Sequence, residues 1–399
     1  MFFSYKIKDV TPSKTSMISD LASKLKREGK EIISMAAGEL DLSPEKNIKS
    51  KAIEVIKNGN TKYAPVSGLE ELKEAISRKL MDENSLSYPT DHIIVSNGGK
   101  QVIYNALVST INPGDEVIII SPYWVSYPEM VKLCGGVPKI LKSDRESNYQ
   151  INVEKLKKII SKKTKWLIIN SPNNPTGTVY SPETLRKIAE ILTEHSKIWV
   201  LSDEIYEKLN FIHHSPRNIV NIQKALKKRV LLVNGFSKSY CMTGWRLGYG
   251  AGPKRLIRSM LKVQSQSTSA ANTIAQFAGV DALELSDSSF SDLLTILKRR
   301  QKIMLKEIQK INGLLTNRPE GAFYIFPSIN FFIGKKLMDG TVIKDDLVFC
   351  KELLKRKNIA VVPGSSFGEK NCIRLSYALK AKDIILACNK MKEFCDSIE

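Results

Sequence analysis

Lys238 has the neighbours that covalent chemistry at an amine would need. It lies in the segment Asn234–Tyr249, directly after an apolar run, Val230–Val233, that is typical of a buried strand. Ser237 precedes the lysine, Arg246 follows it, and glycines at 235, 244 and 248 permit close approach of the backbone. Such an amine forms a Schiff base with a carbonyl compound, and a hydroxyl and a guanidinium bind phosphate. Taken alone, the segment fits a solvated lysine on a basic protein equally well.

Several elements must position this lysine. Five nearly continuous apolar runs predict strands buried on both faces, namely His92–Ser96, Glu116–Ser121, Trp166–Asn170, Ile198–Ser202 and Val230–Asn234. Helical patterns alternate with them, such as Pro182–Leu192 with Ser181 as its N-cap. This alternation predicts an α/β fold with a largely parallel sheet.

Polar, aromatic or glycine-rich residues follow each predicted strand. These clusters are Asn97–Gln101, Pro122–Trp124, Ser171–Gly177, Asp203–Tyr206 and Gly235–Lys238. Ligands of open α/β sheets bind outside the carboxyl ends of the strands. One such cluster could be an ordinary turn, but five at one edge predict a composed binding site.

Three of these clusters suit an aromatic, anionic ligand. Asn97–Gln101 precedes a helical pattern, where backbone amides and the helix dipole favour phosphate, although a plain strand-to-helix turn is an alternative. Trp124 could be a core side chain or a stacking surface. Asp203 and Tyr206 offer a carboxylate and a phenol. One interpretation is that Asp203 and Glu204 bind magnesium, but no third acidic ligand is evident. The other interpretation pairs Asp203 with a protonated ring nitrogen, as pyridoxal 5'-phosphate (PLP) requires.

The net charge of +20 and isoelectric point near 9.5 raise the question of nucleic-acid binding. The 61 lysines and arginines are spread over the whole chain and alternate with acidic residues, as in Leu69–Ala75. No helix-turn-helix, zinc-finger or aromatic-rich RNA-binding motif is evident. We therefore predict a lysine-rich surface that modestly favours anionic small molecules, with no nucleic-acid partner.

Composition also bears on compartment and metal binding. No run approaches the ~20 consecutive apolar residues that a membrane span requires, and Met1–Asp9 lacks the pattern of a secretory signal. The six cysteines have no metal-like spacing with the four histidines, which predicts reduced thiols. We expect a cytoplasmic protein that binds neither a membrane nor a metal.

The pattern changes near residue 286. A long amphipathic helix around 290–311 is followed by Gly321–Phe326, a helix near 346–355, the strands Ile359–Pro363 and Cys372–Ser376, and a closing helix from about Ala381. These elements predict a smaller α/β domain at 286–399, packed with an N-terminal segment at 1–41. The large domain would span 42–285.

The motifs of this chain resemble those of class I (fold-type I) PLP-dependent aminotransferases, specifically the bacterial aspartate aminotransferase subgroup. The resemblance covers almost the whole chain through Pro12–Thr15, Ala37–Glu39, Thr61–Pro65, Ser121–Pro128, Asn170–Gly177, Ser202–Glu207, Ser237–Lys238, Met242–Arg246 and Arg374–Tyr377. It implies a fold-type I large domain, a smaller α/β domain, PLP as cofactor, and a homodimer with shared active sites.

The resemblance assigns roles around the cofactor. Lys238 would form the internal aldimine and move a proton between substrate and cofactor, and Asp203 would pair with the ring nitrogen. Tyr206 and Asn174 would bond the phenolic oxygen, and Trp124 would stack on the ring. The groups implied for the phosphate are Ser237, Arg246, the amides around Gly99 and Lys100, and Tyr63 from the other subunit.

The resemblance also implies a substrate site. Arg374 would bind the α-carboxylate as a bidentate fork, helped by the Gly38 backbone and Asn174. Lys100 and Thr15 stand where this subgroup binds the distal carboxylate of aspartate or glutamate.

Two positions depart from the family pattern. Thr11 replaces the basic residue of relatives that use prephenate, and Leu40 replaces a common proline. We predict transfer of an amino group between aspartate and 2-oxoglutarate. The alternatives are an aminotransferase for prephenate or aromatic amino acids, a PLP-dependent C–S lyase and, outside enzymes, a metabolite-sensing nucleic-acid-binding regulator.

Overall fold

The computed structural model of this protein describes residues 2, 4–12, 14–212 and 218–399, without the side chains of residues 5, 14–16, 19, 287 and 288. The α-helices in these ranges are α1 Lys14–Arg27, α2 Lys46–Lys57, α3 Glu70–Asn84, α4 Gly99–Val108, α5 Ser126–Leu133, α6 Val153–Ile159, α7 Pro182–Glu194, α8 Ile219–Ile222, α9 Lys254–Ser265, α10 Thr273–Leu283, α11 Asp287–Ile308, α12 Asp346–Lys357 and α13 Ala381–Asp396. The strands are β1 Ile33–Ser34, β2 Ile93–Ser96, β3 Glu116–Ser121, β4 Val137–Lys142, β5 Thr164–Asn170, β6 Trp199–Asp203, β7 Val230–Gly235, β8 Gly248–Ala251, β9 Tyr324–Ile325, β10 Ile359–Ala360, β11 Val362–Pro363 and β12 Ile373–Ser376. Within these ranges, no helix is long and apolar enough to cross a membrane.

The central sheet contains seven strands in the order β2-β8-β7-β6-β5-β3-β4. Its pairs are parallel except for the two made by β8, which runs against β2 and β7. The predicted α/β class with a mainly parallel sheet is confirmed. Helix α7 likewise begins at Pro182, and the Ser181 hydroxyl accepts a hydrogen bond from the Thr184 amide at 3.0 Å.

The apolar runs did not reveal two strands of this sheet, β4 and β8. Strand β4 lies at the edge and carries a proline and two lysines, so it lacks a continuous apolar run. Strand β8 has the sequence Gly-Tyr-Gly-Ala, and glycine has a low β-strand propensity.

Gly248 of β8 is explained by a close backbone approach. A Cβ atom on Gly248 would lie 2.4 Å from the amide nitrogen of Gly99 and 2.6 Å from the carbonyl carbon of Gly98. Strand β8 therefore passes directly against the N-terminus of α4, and only glycine fits there. This contact places the start of α4 beside the carboxyl end of β7.

Helices cover both faces of the sheet and bury all of its strands except the edge strand β4, which is partly exposed. One cluster of buried side chains joins α2, α3, α7 and α10 to one face, and another joins α4, α5 and α9 to the opposite face. The three central strands β5, β6 and β7 are almost entirely buried. Their carboxyl ends therefore form a rigid edge on which side chains can be held.

A second core lies in the C-terminal part of the chain. Helices α11, α12 and α13 pack around the antiparallel sheet β11-β12-β9, and β1 from the N-terminal segment pairs in parallel with β10. The predicted strand Ile359–Pro363 is two strands, β10 and β11, which belong to different sheets. The proposed domain boundaries at residues 41/42 and 285/286 stay predictions.

Replacement of Gly248 by alanine should destabilise the fold, because the added methyl group would overlap the backbone of Gly98 and Gly99. We expect Gly248→Ala to lose roughly 2 kcal/mol or more of unfolding free energy in urea denaturation. Gly244→Ala is the matched control, since no atom lies within 4 Å of its Cβ position. Its unfolding free energy should change by less than about 1 kcal/mol. Equal stabilities for the two variants would contradict the packing described here.

Candidate functional site

A cavity of about 220 Å³ lies at the carboxyl ends of the central strands. The structure brings most of the predicted site residues together in its lining. These are Gly38, Gly99, Lys100, Trp124, Asn174, Asp203, Tyr206, Ser237, Lys238, Arg246 and Arg374. They come from the ends of separate strands, from the start of α4, from the N-terminal segment and from β12, so the fold assembles them from distant parts of the sequence.

Two predicted residues are not placed in this cavity. Tyr63 is 96% exposed and is not part of the lining, so its predicted role depends on a second subunit and stays a prediction. Thr15 belongs to α1, but its side chain lies outside the described part of the structure.

Lys238 lies in the turn after β7 and points into the cavity. Its ammonium nitrogen donates a hydrogen bond to the carbonyl oxygen of Gly38. Burial lowers the pKa of Lys238 to about 8, and the positive charges of Arg374 and Arg246 contribute in the same direction. Roughly a tenth of such an amine is neutral at pH 7, so Lys238 is a better nucleophile and base than a surface lysine.

Asp203 ends β6 on the floor of the cavity. One carboxylate oxygen accepts a hydrogen bond from the Tyr127 hydroxyl at 2.5 Å, and the other accepts one from the Ile205 amide at 3.3 Å. Burial raises the pKa of Asp203 to about 6, although these hydrogen bonds and the charge of Lys238 favour the ionised form. A cationic group facing Asp203 would favour the ionised form further, as expected for the partner of a protonated ring nitrogen.

Tyr127 is a site residue to which the sequence assigned no role. It follows Trp124 by one helical turn, and the two rings pack edge to face with centroids 5.3 Å apart. Tyr127 belongs to the motif Ser121–Pro128, which carries part of the family resemblance, and this position was the signal that could have identified it as a site residue. Asp203 follows 76 residues later, so nothing local indicated their hydrogen bond.

The start of α4 and Arg246 form a concave, positively charged wall. Gly98 caps this helix with a φ of 84°, and a Cβ atom on it would lie 2.7 Å from a terminal nitrogen of Arg246. The guanidinium therefore sits against the exposed amides at the helix N-terminus, and Ser237 lines the cavity beside it. Amides, guanidinium and hydroxyl together provide the donor set that binds a phosphate.

Arg374 closes the other side of the cavity. It donates hydrogen bonds to the side-chain oxygen of Asn174 at 3.0 Å and to the carbonyl oxygen of Ala36 at 2.6 Å. Its guanidinium lies 4.4 Å from the ring centroid of Tyr324 and 5.0 Å from that of Phe367. The Nε atom of this buried arginine has no hydrogen-bond partner within the described residues and is closed off from solvent, so the second N–H of each terminal nitrogen remains for a carboxylate ligand.

Lys100 lies at the outer wall of the cavity. Its ammonium group lies 5.0 Å from the Trp124 ring centroid, within the range of a cation–π contact. Burial lowers the pKa of Lys100, and the charge of Arg246 lowers it further. A second anionic group of a ligand would relieve this repulsion between cations.

The two positions that depart from the family pattern have ordinary contacts in the structure. The Thr11 amide donates a hydrogen bond to the Glu129 carboxylate at 2.9 Å, and Leu40 packs against the C-terminal core. Within the described ranges, no three histidine, cysteine or acidic side chains converge as metal ligands.

Comparison with known proteins identifies similar sequences and structures. The family described as "Aminotransferase class I and II" matches residues 30–391. A "Probable aspartate/prephenate aminotransferase" of Rhizobium leguminosarum bv. phaseoli is 42% identical over 99% of this chain and 98% of its own. The structure of the aspartate aminotransferase from Rhizobium meliloti matches with a TM-score of 0.95 and 38% identity over 100% of both chains. Aspartate aminotransferase from Thermus thermophilus with maleate matches with a TM-score of 0.91 and 36% identity, over 98% of this chain and 99% of the other.

The raised pKa of Asp203 predicts a pH-dependent stability difference between the ligand-free protein and Asp203→Asn. A carboxyl group with a higher pKa in the folded than in the unfolded protein destabilises the fold once it must ionise. The wild type should therefore lose roughly 2 kcal/mol relative to Asp203→Asn as the pH rises from about 4 to about 6. Urea denaturation at several pH values measures this difference.

Asp144→Asn is the control for this experiment. The Ser147 side chain and amide lower the pKa of the exposed Asp144, so its contribution to stability is lost only toward acid pH. Between pH 5 and 6 the difference between Asp144→Asn and the wild type should stay nearly constant. A constant difference for Asp203→Asn as well would contradict the raised pKa.

Proposed function

Because the chain belongs to the class I and II aminotransferase family, we propose that it is a PLP-dependent enzyme that transfers the amino group between aspartate and 2-oxoglutarate. One observation carries this proposal. The Lys238 amine, the Asp203 carboxylate and the wall formed by the start of α4 at Gly99 and by Arg246 surround a single cavity. An amine, a ring-nitrogen partner and a phosphate site are what the binding of PLP requires.

The residues present fit PLP in their chemistry. Asp203 supplies a carboxylate for the pyridinium nitrogen, Trp124 supplies a flat surface, and the start of α4 with Ser237 and Arg246 supplies phosphate donors. When bound, PLP supplies an electron sink that stabilises negative charge at the substrate Cα. Burial and the hydrogen bond from Tyr127 hold Asp203 in place, so that it keeps the ring nitrogen protonated.

Lys238 has two tasks in the proposed reaction. Its amine would attach the cofactor. After displacement by the substrate amino group, it would take the proton from the substrate Cα and deliver it to C4′ of the cofactor. Both tasks require a neutral amine, and burial beside Arg374 and Arg246 lowers the pKa of Lys238 to about 8. The catalytic group thus titrates close to neutral pH, where proton transfer in both directions is efficient.

Arg374 and Asn174 are proposed to bind the substrate α-carboxylate. Arg374 is already held by Asn174 and Ala36 through its two terminal nitrogens, and each of these has a second N–H for an incoming oxygen. A guanidinium fixed in this way binds a carboxylate in one orientation.

The preference for aspartate is proposed from Lys100. Its ammonium group lies in the same cavity as Arg374, and a dicarboxylic substrate has one carboxylate for each cation. Thr15 is proposed as a second contact for the distal carboxylate. Prephenate is the second candidate substrate, because several relatives are named aspartate/prephenate aminotransferases. The basic residue that the resemblance implies for prephenate is replaced here by Thr11.

A homodimer is proposed as the active form. The exposed Tyr63 has no role within one subunit, and the exposed apolar side chains Ile53 and Ile56 lie nearby in sequence on α2. A second subunit that covers them would bring Tyr63 to the phosphate of its partner. A cytoplasmic location is also proposed, supported by six unpaired cysteines, five of them buried.

Replacement of Lys238 tests the reaction itself. Lys238→Ala should lower turnover of aspartate with 2-oxoglutarate by at least about 10³-fold, because the amine and the base are lost together. The visible absorbance of covalently attached cofactor should disappear, and the thermal unfolding profile should persist. Lys254→Ala, which removes a surface lysine paired with Asp91, is the control and should retain full activity. Wild-type turnover in Lys238→Ala would refute the proposed mechanism.

Replacement of Lys100 tests the substrate preference. Lys100→Met keeps most of the side-chain volume and removes the charge, so kcat/KM for aspartate should fall about 10- to 100-fold. The kcat/KM for phenylalanine, which has no distal carboxylate, should change by less than about 3-fold. Equal losses for both donors would show that the charge of Lys100 serves the cofactor or the fold instead of the substrate.

A further inference from the structure

Tyr324 is a buried side chain that connects three parts of the site. It lies on β9 in the C-terminal part of the chain, and its hydroxyl oxygen lies 3.0 Å from that of Tyr206. The guanidinium carbon of Arg374 lies 4.4 Å from the centroid of the Tyr324 ring. A Cβ atom on Gly38 would lie 3.1 Å from the Tyr324 hydroxyl, so the N-terminal segment packs against the same group. None of the roles proposed above involves this residue.

The direction of the hydrogen bond between the two tyrosines follows from counting protons. Each phenol carries one proton, and burial raises the pKa of both Tyr206 and Tyr324, so both are neutral at physiological pH. If Tyr206 donates its proton to the phenolic oxygen of the cofactor, its own oxygen can only accept. Tyr324 must then be the donor in the contact with Tyr206.

We propose that Tyr324 is a positioning residue that couples the substrate clamp to the partner of the cofactor oxygen. Its hydroxyl donates to Tyr206 and so directs the Tyr206 proton toward the cofactor, while its ring supports Arg374. This inference rests on the proposed function, because it requires a bound cofactor with a phenolic oxygen. It adds a residue that lines the same cavity and to which the proposed arrangement assigns no bond with the substrate carboxylate or the cofactor.

The two actions of Tyr324 depend on different parts of its side chain. A cation–π contact with Arg374 requires only the aromatic face, which phenylalanine also has. The hydrogen bond to Tyr206 requires the hydroxyl group. A chain of hydrogen bonds strengthens each member, so Tyr206 is a better donor while Tyr324 donates to it. Tyr324→Phe and Tyr324→Leu therefore separate the two actions.

The test uses the cofactor-loaded protein and two measurements other than turnover. The first is the pH midpoint at which the visible absorbance of the bound cofactor changes, which reports how strongly its phenolic oxygen is stabilised as an anion. The second is the dissociation constant of maleate, a dicarboxylate that carries no amino group to transfer. Tyr377→Phe is the matched control, because Tyr377 is equally buried, directly follows β12, the strand paired with β9, and donates its hydroxyl proton to the Ala322 carbonyl oxygen at 3.3 Å.

We expect Tyr324→Phe to raise the absorbance midpoint by less than about one pH unit, with maleate affinity within about 3-fold of the wild type. Tyr324→Leu should also weaken maleate binding, by about 3- to 30-fold, because Arg374 loses the ring beneath it. Tyr377→Phe should change neither quantity. Thermal unfolding of each variant verifies that the fold persists.

A double variant tests whether Tyr324 acts through Tyr206. In Tyr206→Phe the acceptor of the Tyr324 proton is gone, so the midpoint of Tyr206→Phe/Tyr324→Phe should equal that of Tyr206→Phe alone. Additive shifts, an unchanged midpoint in Tyr324→Phe, or an equal shift in Tyr377→Phe would overturn the inference while the proposed function stands. A wild-type protein that binds no PLP, and so shows no visible band, would overturn the proposed function together with the inference.

Discussion

The site depends on one buried guanidinium. Arg374 is 3% exposed, and a charge in that position is tolerated only where hydrogen bonds and polar contacts replace water. Its partners come from three distant parts of the chain, namely the Ala36 carbonyl, the Asn174 amide and the Tyr324 ring. The requirement to satisfy this charge fixes the N-terminal segment, the turn after β5 and the C-terminal sheet relative to one another.

The same burial shifts the pKa values of the ionisable groups in the cavity. Loss of water lowers the pKa of Lys238 to about 8 and raises that of Asp203 to about 6, so both groups titrate close to neutral pH in the ligand-free protein. The cations Arg246 and Lys100 make the cavity strongly positive within the described residues. A ligand with a phosphate or several carboxylates neutralises this charge, so the electrostatics favour anionic ligands before any specific contact forms.

The sequence predicted those parts of the fold that are determined by local residue patterns. Continuous apolar runs identify β5, β6 and β7, and the polar clusters behind them give most of the cavity lining. Local patterns could not predict contacts between side chains that are far apart in the sequence. Tyr324 contacts Tyr206 across 118 positions, and no local pattern in the segment Gly321–Phe326 indicates that contact. The roles of Thr15 and Tyr63 stay predictions. The Thr15 side chain lies outside the described part of the structure, and the role of Tyr63 requires a second subunit.

Asp203 and Glu204 are neighbours at the end of β6, and their side chains point to different surroundings. Asp203 faces the cavity, whereas the Glu204 carboxyl accepts a hydrogen bond from Ser202 and lines a different cavity. Burial raises the pKa of Glu204 to about 8, and the nearby charge of Glu207 adds to this. Glu207 is itself paired with Lys79 of α3, so a buried ion pair anchors the loop that carries Tyr206 to this helix. The two adjacent carboxyl groups therefore have different surroundings, since Asp203 faces the candidate site and Glu204 bonds Ser202 near the Glu207–Lys79 ion pair.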